Sequence, residues 1–306
     1  MDAHTASFAS PRARSRHDSA GADGYPCVRI RDAVQHLPGR FQVIPIAFTR
    51  AVSPRLPQCA LTHLDRVPID AARADSQHAA YEAALRDAGC DVRRLPPLPD
   101  APDGVFVEDT ALLLDGHAIM TRPGTPSRAL EVASTAAALA AFFPVHPLPH
   151  GRLDGGDVLR IGRAFFVGRS ARTDDNGIAA LAELSARFGF SVQPVSMGPC
   201  LHLKSAVTWL GADAADRACV LMNPAWIDTA PFAEFDRMEI DPAEPWAANT
   251  LRLGKHLLVS AAYPRTNATL AARGYDLRVL DVSELQKAEA ALTCMSLIAD
   301  GMDSAP

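Results

Sequence analysis

The chain has 306 residues, 48% of them hydrophobic, with a formal net charge of −5 and a pI of about 6.0. That length makes one large domain or two ordinary ones, with enough apolar residues for a sizeable core. No basic stripe points to a nucleic-acid partner, and no apolar run approaches the roughly 18 residues of a membrane span.

Residues 1–40 lack the apolar centre of a secretory signal. Arg12, Arg14 and Arg16 are interrupted by Asp2, Asp18, Asp23 and Asp32, which is poor support for a transit peptide. This stretch is expected to be a disordered extension, with 41–300 a single catalytic domain and 301–306 a short tail. From Phe41 the character changes, and residues 41–48 read as a first, mostly buried strand. Residues 75–90 have helical spacing through Ala79, Tyr81, Ala84 and Leu85, ending near Gly89. Residues 92–95 form a short strand before a proline-rich loop that runs to Pro102. Residues 105–107 and 110–114 form a strand region interrupted by Glu108 and Asp109. Asp115-Gly116 is a hairpin turn, and 117–121 returns as its second strand. Residues 127–143 read as an alanine-rich helix with Ser127 at its cap. A hairpin over Gly162-Arg163 joins 158–161 to 164–167, and a helix follows over 174–188. Residues 191–195, 201–210 and 218–222 are strand-like. Residues 251–253 and 256–260 pair across Gly254-Lys255. A helix over 267–274, a strand over 276–282, a helix over 283–292 and a strand over 293–298 close the chain. The unit of hairpin, helix and further strand recurs every 45 to 60 residues or so, as a pattern rather than as sequence similarity. GxGxxG, GxxxxGK[ST] and GxSxG are all absent.

Four short strings carry chemistry. Cys294, in Leu292-Thr293-Cys294-Met295-Ser296, sits at a helix–strand junction. A cysteine there is either a small buried hydrophobe or a thiol that a neighbouring imidazolium can ionise. His202, between Leu201 and Leu203, is either a satisfied core histidine or that imidazole. Asp154-Gly155-Gly156-Asp157 is either an ordinary turn or a place where backbone approaches a ligand while Asp154 holds the imidazole. Glu108-Asp109 breaks an apolar run. On a strand the two side chains would point to opposite faces, so at least one carboxylate would need a buried partner, a structural arginine or a cationic substrate. Together the strings are the inventory of a cysteine hydrolase acting on a cation. His146 and His150 have an HxxxH spacing, but Pro147 and Pro149 exclude a helix there, and no metal site is expected. Cys27, Cys59, Cys90, Cys200, Cys219 and Cys294 include no CxxC pair. They read as reduced thiols of a cytoplasmic protein.

These strings, with residues 121–128 (TRPGTPSR) and 165–173 (FFVGRSART), resemble the dimethylarginine dimethylaminohydrolases of the guanidine-modifying (pentein) superfamily. The resemblance runs from about Arg50 to Ile298. It implies an α/β fold, a five-bladed pseudo-symmetric propeller of ββαβ units. It implies Cys294 as nucleophile, His202 as general acid and base, and Asp154 as the carboxylate orienting His202. It further implies that Glu108 and Asp109 belong to the string that recognises the guanidinium, with Asp109 the direct contact, and that Asp103 is a substrate-contacting acid. Arg128 and Arg172 would hold the substrate carboxylate, and Leu61 would belong to a lid loop within residues 50–63. The implied reaction hydrolyses asymmetric dimethylarginine or monomethylarginine to citrulline, with no cofactor or metal and only a small molecule as partner. A homodimer is compatible with the chain. Arginine deiminases and amidinotransferases carry an aspartate two residues after the catalytic histidine. Here that position is Lys204, which argues against unmodified arginine as the preferred substrate. The alternatives are an arginine deiminase-like enzyme or a hydrolase for another guanidine, and a catalytically silent propeller that binds arginine-like ligands.

Overall fold

A computed structural model describes residues 44–212 and 217–299. The expected extension over 1–40, the tail over 301–306 and the start of the first strand at Phe41 lie outside the described residues. Among the described residues, fifteen short strands form five sheets of three. In chain order the elements are β1 (Ile46–Thr49), α1 (Ala71–Asp87), β2 (Asp91–Arg94), β3 (Ala111–Leu114), β4 (His117–Met120), α2 (Ala129–Leu139) and β5 (Val145–Pro147). Then come β6 (Val158–Ile161), β7 (Ala164–Arg169), α3 (Asp175–Ala186), β8 (Ser191–Ser196), α4 (Leu203–Ala206), β9 (Val207–Ala212), β10 (Ala218–Met222) and β11 (Asp236–Glu239). The last are β12 (Leu251–Leu253), β13 (His256–Ser260), α5 (Pro264–Ala272), β14 (Asp276–Leu280), α6 (Ser283–Gln286) and β15 (Leu297–Ala299).

Every sheet repeats one wiring. An inner strand pairs antiparallel with a middle strand, which pairs parallel with an outer one. The antiparallel step needs only a tight turn, as at Asp115-Gly116, where φ is +43 and +76. The parallel step needs a crossover, supplied by α1, α2, α3 and α5 in four blades. The β10–β11 crossover carries a 3-10 turn, Ala230–Phe232, in its place. The first sheet takes its inner strand from the far end of the chain, because β15 pairs with β1. That closes a pseudo-symmetric five-bladed α/β propeller, as the resemblance implied.

Apolar clusters hold the blades together. Leu112, Leu114, Phe165 and Ile178 knit the second blade to the third, with Phe165 stacked on Phe190 at 4.9 Å. The inner strands β3, β6, β9, β12 and β15 surround an axial cavity of about 550 Å³.

Several local expectations are corrected. α1 starts four residues early, because Asp70 caps it by accepting from the Ala72 and Arg73 N–H groups at 3.0 Å. Glu108 and Asp109 lie in a 3-10 turn, Val107–Thr110, rather than on a strand, and both are buried. Residues 201–210 are not one strand: His202 precedes the single turn of α4, and the strand begins at Val207. The predicted strand over 293–298 opens with a 3-10 turn, Thr293–Met295. The predicted helix over 283–292 stops at Gln286.

Candidate active site

The same place in each blade supplies the site: the residues that lead into the inner strand. Val107–Thr110 precedes β3, Gly155–Asp157 precedes β6, α4 precedes β9, and Thr293–Met295 precedes β15. Asn249 stands just before β12. Five pseudo-equivalent entry turns therefore meet at one end of the propeller axis.

Because the turns are tight, neighbouring residues face different spaces. Asp109, His202 and Cys294 line a small cavity with Asp103, Arg128 and Arg172. Glu108, Lys204 and Thr293, their near neighbours in sequence, line the axial cavity instead. Between the two spaces Glu108 takes the Lys204 ammonium at 2.6 Å and the Thr293 hydroxyl at 2.7 Å. The opposite-face expectation for Glu108 and Asp109 is met by a turn rather than by a strand.

Around the imidazole the geometry is closely set. His202 Nε2 lies 3.0 Å from Asp154 Oδ2, and Nδ1 lies 3.9 Å from Asp109 Oδ1. Asp154 is fully buried behind His202 and also accepts the Gly124 N–H at 2.7 Å. The Gly-Gly between the two aspartates is required by close approach. A Cβ at Gly155 would overlap the Glu108 carbonyl oxygen, and one at Gly156 would strike the His202 ring. Burial opposes a charge on His202. The carboxylates of Asp109, Asp154 and Asp157 outweigh it and hold the imidazolium pKa up at about 9.

Asp109 is likewise disfavoured by burial, yet His202 and Arg128 hold its carboxyl down at about 2. Its Oδ2 takes Arg128 Nη1 at 2.5 Å and its Oδ1 takes the Gly156 N–H at 2.9 Å. Each oxygen keeps a lone pair for a further donor. Arg128 also grips Glu131 through Nε and Nη2, at 2.8 and 2.7 Å. Arg172 donates to the hydroxyls of Thr125 and Thr62. Asp103 accepts the Ala60 N–H at 3.2 Å. Leu61 is half-buried and packs beside the cluster that includes Cys294, next to the cavity wall formed by Ala60. Burial pushes the Cys294 thiol up to about 12, helped by Glu108 and Asp109. Its Sγ accepts the Ala291 N–H at 3.4 Å.

Of the nine residues singled out in the sequence, six line the cavity. Asp154 backs His202, Leu61 flanks the cavity, and Glu108 faces the axial side. Sequence reasoning missed three supports. Asp157 accepts the Leu203 N–H at 2.9 Å and the Ser170 and Thr173 hydroxyls at 2.6 Å, anchoring the turn after His202. Glu131 is the partner of Arg128, and its i+3 spacing could have flagged it. Asn249 bonds the Thr293 backbone and hydroxyl at 3.1 Å and the Lys204 carbonyl at 3.0 Å, tying three entry turns together. Among the described residues, Asp109, Asp154 and His202 are the one group with donor atoms close enough for a metal. His202 Nε2 and both Asp109 oxygens already have the protein partners described above. His146 lies 3.2 Å from His117, through Nε2 and Nδ1.

No family model matches the chain. Curated relatives do. The N(G),N(G)-dimethylarginine dimethylaminohydrolase of Streptomyces coelicolor is 36% identical over 256 residues, 82% of this chain and 95% of that protein. The enzyme of the same name from Pseudomonas aeruginosa is 33% identical over 231 residues, 74% of this chain and 89% of that protein. Among solved structures, a mutant of the P. aeruginosa enzyme complexed with citrulline superposes with a TM-score of 0.78 at 31% identity. It covers 84% of this chain and 99% of that one. The N-terminal domain of a cyanobacterial arginine dihydrolase superposes at 0.69 with 17% identity, covering 83% of this chain and 97% of that one; this likeness concerns the fold alone.

Proposed function

The chain belongs to the dimethylarginine dimethylaminohydrolase family, and from that premise we propose that it hydrolyses N-omega-methylated arginines to citrulline and dimethylamine or methylamine, through a covalent intermediate on Cys294. The observation that carries this reading is a single buried cavity that brings together a thiol, an imidazolium and an ionised carboxylate. Such a set suits a cationic carbon electrophile.

Asp109 receives the guanidinium and orients its central carbon toward Cys294. Asp103 meets the polar end of the substrate, and Arg172 offers its fork to the carboxylate. Arg128, already committed to Asp109 and Glu131, adds positive charge beside that end. Leu61 covers the bound molecule. Glu108 acts from behind, holding Lys204 where the deiminases carry an aspartate, so that no second acid grips the substituted nitrogen.

A buried thiol with a pKa of about 12 is protonated at neutral pH. Burial is the larger cause of that shift, and Glu108 and Asp109 add to it. A guanidinium bound at Asp109 supplies a positive charge beside the sulfur that favours the thiolate, and the thiol proton leaves to solvent because His202 already carries its own. The thiolate adds to the guanidinium carbon, forming the C–S bond. His202, charged below about pH 9, gives its proton to the departing amine as the C–N bond breaks. The neutral imidazole then takes a proton from water, which adds to the amidino-sulfur carbon. The C–S bond breaks, releasing citrulline and returning the thiolate. Asp154 fixes the orientation of the ring throughout and favours its charged form whenever the proton is on it. Residues 41–300 act as one catalytic domain. The five described cysteines are all free, which fits a cytoplasmic setting.

The test is citrulline formation with asymmetric dimethylarginine, monomethylarginine and arginine in parallel, with Cys294→Ser as control. Turnover of the methylated substrates, lost in the variant, supports the reading. Turnover of arginine alone would move the chain to the deiminases.

A further inference from the structure

The cavity that brings Cys294, His202 and Asp109 together measures about 30 Å³. That is room for a few water molecules at most, and far too little for a methylated arginine. Something must move for substrate to enter. Ala60 forms one wall, and Ala288, Glu289 and Ala290 form another. Through Ala60, the segment that runs on to Leu64 closes this side of the site.

What holds it closed is concentrated on one side chain. The carboxylate of Glu289 accepts the backbone N–H groups of three successive loop residues: Thr62 at 2.9 Å, His63 at 2.5 Å and Leu64 at 2.6 Å. Three consecutive amides converging on an anion make a nest, among the stronger ways to hold a short loop by its backbone. Glu289 holds it from a conformation that costs energy. Its φ is +58, one of two positive values among the described non-glycine residues. The Ala290 N–H reaches back to the Leu285 carbonyl at 3.3 Å, so Glu289 occupies the left-handed position just after α6, where helices commonly place glycine. A glutamate there breaks the local rule, and backbone strain of this kind is kept where surrounding contacts enforce it. The second wall of the cavity thereby becomes the anchor for the first.

We infer that Glu289 is a positioning residue that latches the 60–64 loop over bound substrate, deepening the functional reading above, on which this inference rests. Entry and exit require the three N–H bonds to release, and closure re-forms them. Glu289 does not take part in the bond-making steps. Its effect falls on kcat/KM through KM, because Cys294, His202 and Asp154 are held by other contacts.

Glu289→Gly is the informative variant. It removes the carboxylate while supplying the residue that the backbone position favours, so the fold is expected to keep its melting temperature. Hydrogen exchange at Thr62, His63 and Leu64 should accelerate at least ~10-fold over wild type, with the five sheets unchanged. In the same variant KM for asymmetric dimethylarginine should rise about tenfold with kcat within a few-fold. Glu289→Gln, which keeps one acceptor oxygen at the same reach, should give intermediate protection. Unchanged exchange in the loop of Glu289→Gly would overturn the inference. So would faster exchange spread evenly over the sheets with a lowered melting temperature, which would make the role merely structural. If the wild type made no citrulline, the functional reading would fail, and the exchange comparison would still decide whether the latch exists.

Discussion

At the scale of single residues, the behaviour of the site is set by how three aspartates share one imidazole. His202 is charged at neutral pH only because Asp109, Asp154 and Asp157 surround it. Asp154→Asn keeps the size of the side chain and removes one of those charges. It should lower kcat by ~100-fold or more, as losing the carboxylate behind a catalytic histidine does elsewhere. It should also move the alkaline limb of the pH–rate profile to lower pH, because the imidazolium then loses its proton sooner. Citrulline formation across pH 6–10 checks both; a profile that kept its alkaline limb would detach Asp154 from His202. The same shift has a stability consequence. A histidine whose pKa rises from 6.5 to about 9 on folding contributes stability that is complete below pH 6.5 and is lost as pH rises through 9. Denaturant melts of the substrate-free protein should show that loss on the alkaline side, and Asp154→Asn should shrink it.

At the scale of elements, α1 shows the opposite sign. His78 is fully buried on its inner face, with no hydrogen-bond partner for either ring nitrogen among the described residues, and Glu82 lies 3.8 Å away. Burial, the larger effect, holds its pKa down at about 4 against 6.5 unfolded. The unfolded chain therefore binds the proton first, and stability falls as pH drops from 6.5 toward 4, by about 3 kcal/mol at the limit. His78→Leu should flatten the melting profile over that window; an unchanged profile would place the acid sensitivity elsewhere. What the sequence disclosed at this scale follows periodicity. The hairpins over Asp115-Gly116 and Gly254-Lys255 and the helices α1 and α3 were legible, because an apolar repeat or a turn dipeptide marks each of them. The outer strands β5 and β11 were not: one is three residues ending in Pro147, and the other has a single apolar residue, Met238, among three charged ones on a blade edge. The Asp154–Asp157 string was legible as a turn, but the turns that carry Glu108, His202 and Cys294 were hidden for a related reason. Three- and four-residue turns have no period, so they read as extensions of the strands that follow them. The site residues themselves were identified through the resemblance, while Asn249 and Glu289 bond mainly to backbone groups, and Asp157 to one backbone group and two distant hydroxyls, which no sequence pattern displays.

At the scale of the whole molecule, five entry turns divide the propeller axis into a catalytic cavity and the larger axial one. The Glu108–Lys204 pair lies between them. Burial raises the Glu108 carboxyl, and Lys204 and Thr293 pull it back. The pair joins the turn before β3 to the turn before β9, while the Thr293 hydroxyl adds the turn before β15. Lys204→Met would leave Glu108 buried with only a hydroxyl to satisfy it, a loss of about 3 kcal/mol. Protonation offers the carboxyl an escape, so the loss should depend on pH. Burial already raises the Glu108 carboxyl in the wild type, so stability falls somewhat as pH rises above 4.5; with Lys204 gone the folded pKa is pushed further up, and the variant should lose more over the same rise. The double variant Glu108→Gln with Lys204→Met removes both charges and should recover most of the stability. A double-mutant cycle by chemical denaturation at pH 6 and pH 9 measures the coupling directly. Coupling near zero at both values would mean that the three turns are held together by Asn249 and apolar packing. A coupling that grows with pH would mean that this one ion pair keeps the floor of the catalytic cavity closed, and that the turns carrying Asp109, His202 and Cys294 owe their common alignment to it.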